Sequence, residues 1–86
     1  MKHITTPSGF SCEIDEAKLN DMELFDALVE LDAGNMTALP TVVGKIIGGE
    51  KKRLYNHVRA SDGTVPIEQV AAEVRHIIQA LGEKNS

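Results

Sequence analysis

The chain is poor in the residues that usually announce a site. It has one cysteine, no tryptophan, one tyrosine and two phenylalanines in 86 residues. A lone Cys12 cannot close an internal disulfide, and a thiolate-rich zinc site needs several converging sulfurs. One unpaired thiol fits a reducing compartment. Apolar runs are only a few residues long, against the ~20 that a helix needs to cross a bilayer. The opening stretch MKHITTPSG has no continuous apolar segment, so no secretory signal is expected there. A basic excess is also missing. Nine Lys and Arg against thirteen Asp and Glu give a net charge of −4. Non-specific nucleic-acid binding normally rests on the opposite balance. The expectation is a cytoplasmic protein with neither a membrane nor a nucleic acid as partner.

What is present suits a small folded domain. The mass is 9.3 kDa, with 42% hydrophobic and 26% charged residues. That composition excludes a wholly disordered chain. A chain of this size buries about 63% of its unfolded surface, enough for one core and not two. Its total stability should be roughly 4–13 kcal/mol.

The pattern predicts a mainly α (α+β) fold: an N-terminal β-hairpin, then four short helices, in a single domain over 1–86. The hairpin spans 2–14. Phe10, Cys12 and Ile14 alternate with Ser11 and Glu13, the period of a strand with one buried face. Ile4, Thr5 and Thr6 supply the partner strand, and Pro7-Ser8-Gly9 the turn. Asp15-Glu16-Ala17-Lys18 adds a turn of helix. The first long helix is expected at 21–32. Asn20 and Glu23 form its capping pair, and Leu19 and Leu24 a hydrophobic staple. Met22, Phe25, Leu28, Val29 and Leu31 form its apolar stripe. Gly34-Asn35 stops it. The second helix, 38–47, carries Leu39, Val42, Val43, Ile46 and Ile47 on one face, with Pro40 in the first turn. The third, 50–60, has a short seam of Leu54 and Val58. The fourth, 65–81, is capped by Thr64 with Pro66 just inside. Its stripe is Ile67, Val70, Val74, Ile77, Ile78 and Leu81. Residues 83–86 read as a flexible polar tail.

No catalytic or metal-binding constellation emerges. His3, His57 and His76 fall on different elements, and zinc needs three or four convergent ligands. Cys12 has no neighbour to activate it and reads as a small buried hydrophobe. The carboxylates crowded between Glu13 and Asp32 interleave with apolar positions and read as a solvated face. Gly48-Gly49 before Glu50-Lys51-Lys52 lacks the full phosphate-loop pattern and reads as a helix break. No cofactor, metal or enzymatic activity is expected.

Lys51, Lys52, Arg53, His57 and Arg59 concentrate positive charge on the third helix of an acidic protein. The ordinary reading is intramolecular pairing or a solvated face. The sharper one is partner recognition, with acidic helix one and basic helix three as complementary patches. A helix-turn-helix reader would need a following recognition helix with base-reading side chains, which is not seen.

Three segments carry a resemblance: SGFSCEID, the acidic DMELFDALVELDAGN, and ALPTVVGKIIGGEKKRLYNHVRASDGTVPIEQVAAEV. Together they cover nearly the whole chain. In this order of elements the chain resembles the small tail assembly chaperones of long-tailed bacteriophages and prophages. The resemblance implies a non-catalytic role: binding the tape measure protein, keeping it soluble and assisting tail tube subunits to polymerise around it. It also implies a bacterial host cytoplasm as the location and absence from the mature virion. A frameshifted longer form would begin near Glu83–Ser86. Self-association into rings or small homo-oligomers is expected, since a chain this small can leave one apolar stripe for an oligomer or client surface. A chaperone for long amphipathic helices needs an accessible apolar groove. The candidate protein-binding residues are Leu39, Val43, Ile46, Ile47, Lys51, Lys52, Arg53 and Tyr55. The competing reading places all four apolar stripes in the core. The alternative function is a small acidic DNA-binding or regulatory adaptor protein of a prophage.

Overall fold

The structure, a computed structural model, describes residues 1–82. The tail expected at 83–86 lies outside the described residues. Strand β1 (Lys2–Thr5) pairs antiparallel with β2 (Ser11–Ile14), with Ile4 opposite Cys12 and Thr5 opposite Ser11. The turn between them is closed by the Gly9 N–H donating to the Thr6 carbonyl at 2.9 Å. The alternation holds: Phe10, Cys12 and Ile14 are buried, and Glu13 is exposed. Thr6 falls just outside β1 yet is buried. Two strands alone are marginal in water. This pair is held because β2 packs on helix α2 and β1 on helix α4.

After a short 3-10 turn at Glu16–Leu19, helix α1 runs Met22–Asp32. Its cap is Asp21, not Asn20: Asp21 Oδ1 accepts the Glu23 and Leu24 N–H groups at 2.8 and 3.3 Å. Asn20 sits one position too early for its side chain to reach the orphan donors of this helix. At the far end the Asn35 N–H reaches the Glu30 carbonyl, and the Gly34 N–H that of Leu31. That double bond pattern needs the left-handed residue Gly34, at φ 98°, to reverse the chain.

Helix α2 spans Leu39–Ile47, preceded by a 3-10 turn at Met36–Ala38, with Pro40 in its first turn as expected. A third 3-10 turn, Gly48–Glu50, leads into α3 at Lys51–Val58. Helix α3 is two residues shorter at its end than the pattern predicts, because Arg59 is extended and turns the chain.

Helix α4 covers Ile67–Gly82. Thr64 does not cap it. Thr64 instead gives its N–H and its hydroxyl to Asp62 Oδ1, at 3.0 and 2.7 Å. These bonds fold the loop before the helix and hold the Asp62 carboxyl below its ordinary range, the hydroxyl bond first. The first helical bond is the Val70 N–H to the Pro66 carbonyl.

One core joins all four helices and the hairpin, centred on Ile14, Val42, Leu54 and Ile77 with essentially no exposure. The main departure from the pattern is in α1. Leu24 and Ala27 face the core, while Met22, Phe25 and Val29 are exposed. The stripe expected to be buried is therefore split. Leu28 and Leu31 sit partly buried at the core edge, and the other three residues point away from it.

Candidate functional site

The eight candidate binding residues divide by burial. Leu39, Val43, Ile46 and Ile47 are core residues of α2. Helix α2 packs against α1, β2, α3 and α4, and its apolar face is buried. In this conformation that stripe is not a groove.

The basic residues of α3 also separate. Arg53 is spent within the fold. Its guanidinium lies 4.8 Å from the Phe10 ring centroid, pairs with Glu50 and donates to the Ser11 carbonyl at 2.6 Å. The Glu50 carboxyl is held low by that Arg53 hydrogen bond. Arg59 donates to the Gly63 carbonyl at 2.7 Å and to Asn56. Lys52 remains exposed. Lys51 stands with its Nζ 5.9 Å from the Tyr55 ring centroid, a weak cation–π contact at a surface position.

Leu39 and Tyr55 do meet at an open place. They line an apolar hollow of about 280 Å3 with Met36, Pro40, Val65, Ile67 and Val70. Tyr55, which lines it, is the ring that Lys51 approaches. A second hollow, about 400 Å3, lies between α1 and α4 and is lined by Leu28, Leu31, Met36, Val74 and Ile78, with Asp32 and Arg75 on its rim. Met36 lines both. The two hollows are therefore neighbours, and Met36 and Ile67 lie exposed between and beside them. Among the described residues, Met22, Phe25 and Val29 of α1 are likewise exposed. Sequence reasoning missed Met36 because it sits in a short 3-10 turn with no periodicity to read.

Helix α1 does not pair with α3. Its intramolecular counter-charge is Lys45 on α2, whose Nζ lies 2.9 Å from Asp21 Oδ2 and 3.2 Å from Glu23 Oε1. The Lys45 ammonium is raised above its ordinary value by Asp21 first and Glu23 second.

A polar cluster under the hairpin turn was also not legible. Glu73 of α4 is buried, and its two oxygens accept the hydroxyls of Thr6 and Ser8, each at 2.7 Å. Ser8 Oγ is also 3.0 Å from His57 Nε2. Here serine bridges carboxyl and imidazole, so the imidazole is not oriented by an acid as a nucleophilic triad requires. The arrangement ties the turn to α4 and α3. Cys12 is buried, and burial first, then the Glu50 charge, pushes its thiol up. That makes it a poor nucleophile. Among the described residues, no group of three or more His, Cys, Asp or Glu side chains is placed to hold a metal ion. No described helix is long and apolar enough to cross a membrane.

The fold defines a small, mainly helical domain with an N-terminal antiparallel hairpin followed by several helices. Comparison with protein-family models, curated proteins and solved structures finds no match for this chain.

Proposed function

We propose that the protein is a non-catalytic tail assembly chaperone of a long-tailed phage or prophage, acting in the host cytoplasm on the tape measure protein. One observation carries the binding part of this reading. Met36 lines two neighbouring apolar hollows, and Ile67, which lines one of them, is exposed as well. Contiguous exposed apolar surface on a small protein marks an interaction site. Grooves of this kind take the apolar face of an amphipathic helix. The phage context and the client's identity come from the sequence resemblance.

The surface also serves self-association. The hollow of Leu39, Met36, Tyr55 and Ile67 is the proposed contact between copies, with Lys51 near its Tyr55 ring. Copies would hide this apolar area until the client arrives.

Co-expression with the tape measure protein tests the reading. The expected result is a soluble complex where the tape measure alone is insoluble. An equally insoluble tape measure in the presence of the chain would overturn it. Sedimentation equilibrium tests self-association separately. A monomer mass at high concentration would remove that part of the proposal.

A further inference from the structure

Helix α1 leaves Met22, Phe25 and Val29 at 66, 59 and 54% exposure. Their spacing of three and four residues places them in one row on the outer side of the helix. The inner side, through Leu24 and Ala27, is already committed to the core. Carboxylates border the outer row. Asp26, Glu30 and Glu23 lie along one edge, and Asp32 lies on the other. Lys45 compensates charge only at the N-terminal end, beside Asp21 and Glu23.

We propose that this row is a docking site for an amphipathic helix of another protein, one whose apolar face is bordered by Lys and Arg. The charge pattern selects that occupant over the others. A second copy's α1 would bring carboxylates against carboxylates. A second copy's α3 carries the right charge but no free apolar face, since Leu54 is fully buried and Val58 partly so. An anionic membrane surface attracts basic segments and repels this row. A basic-bordered amphipathic helix matches both features. Its apolar anchors cover Met22, Phe25 and Val29, and its cations meet the flanking carboxylates. The inference rests on the chaperone reading for which protein supplies the helix, though not for the surface itself.

The test titrates the isotope-labelled full chain with two synthetic helical peptides, followed by NMR. Both carry the same leucine stripe. One has Lys along both borders, and its twin has Glu there. The Lys peptide should shift the amides around Met22, Phe25 and Val29 and bind at least about tenfold more tightly than its twin at low salt. That preference should shrink toward equality at about 0.5 M salt, where surface charges are screened. Phe25→Asp should abolish docking, and the pair Asp26→Lys with Glu30→Lys should reverse the preference. Circular dichroism checks that each variant is folded. Val29→Ser is the milder substitute should Phe25→Asp unfold.

Equal affinity for the twins would overturn the proposal, as would shifts centred away from α1. So would loss of self-association in Phe25→Asp, which would assign the row to a second copy. Tighter binding to phosphatidylglycerol vesicles than to the Lys peptide would assign it to a membrane. The chaperone reading fails separately. A Phe25→Asp chain that retains the tape measure protein as well as the wild type would sink the α1 site alone. Peptide docking on α1 with no retention of the tape measure would sink the chaperone reading alone.

Discussion

The hydroxyl of Thr6, just after the first strand, donates to Glu73 Oε1 in the middle of the last helix at 2.7 Å. Ser8 closes the other oxygen of the same buried carboxyl. Two turn residues and one helical residue thus fix where the hairpin sits.

Glu73→Ala should remove the acceptor of the buried Thr6 hydroxyl and untie Ser8, at the exposed turn, from α4. The expected loss is about 1–3 kcal/mol in urea unfolding. Glu73→Gln keeps the shape and one acceptor and should cost less. Equal stability of Glu73→Ala and wild type would show that the turn finds other partners.

Core and outer row should respond oppositely to truncation. Leu54→Ala or Ile77→Ala removes a side chain with no exposure. Each should cost about 2–5 kcal/mol, a large share of the stability of so small a domain. Phe25→Ala should stay within about 0.5 kcal/mol, because that ring is not packed in the core. A larger cost for Phe25 than for Leu54 would mean that α1 is seated the other way round.

Two glycines of one segment should differ in sign. Gly44 lies inside α2 with a negative φ and open space where a Cβ would stand. Gly44→Ala should stabilise by about 0.5–1 kcal/mol through better helix propensity. Gly48 ends α2 at φ 48°, ψ −115°, a conformation L residues avoid. Gly48→Ala should destabilise by about 1–3 kcal/mol. Thermal melts of the two variants check both signs.

The Asp21–Lys45 contact predicts a defined pH window. Lys45, ahead of the α1 backbone donors, holds the Asp21 carboxyl below its ordinary range. Its contribution is therefore full above about pH 4 and is lost as pH falls through the lowered folded value. Lys45 is raised, so its contribution is full below about pH 10 and is lost as pH climbs through its folded value. A Lys45→Met chain should melt earlier than wild type across the neutral range, with the gap closing at both extremes. A gap that stays constant down to pH 2 would contradict the pairing. Asp21→Ala should destabilise more than Asn20→Ala, since Asp21 holds the cap.

Cys12 should react with a thiol reagent only when the chain opens. It is buried, and its thiolate is disfavoured. Labelling of the native chain should be slower than that of the urea-unfolded chain by about 100-fold or more. Comparable rates would place the thiol at the surface.

Much of the fold was legible because its signals are local. Phe10, Cys12 and Ile14 alternate whatever surrounds them, and Leu39 to Ile47 repeat at helical spacing. The errors arose where two local answers compete. Asn20 and Asp21 are both good caps, and only the approach of Lys45 and the path from the 3-10 turn favour Asp21. Thr64 could cap α4 or close a loop onto Asp62, and the loop takes it. The candidate binding residues split for a related reason. Leu39 and Tyr55 reach the hollow, while Val43, Ile46 and Ile47 lie behind them in the core.

The sequence by itself determined the class of element at each stretch, the buried face of the second strand through its alternating side chains, the buried state of Cys12 and the acidic surplus. These follow from periodicity, propensity and composition, which need no neighbour. Tertiary structure alone decided which apolar stripe stays outside. Four amphipathic helices and a hairpin compete for one small interior. The β-branched face of α2 is buried in it, so α1 can present only Leu24 and Ala27 fully and is left with Met22, Phe25 and Val29 in solvent. The Thr6–Glu73 contact is decided the same way. A carboxyl on α4 can be buried only once packing brings two hydroxyls of a distant turn against it.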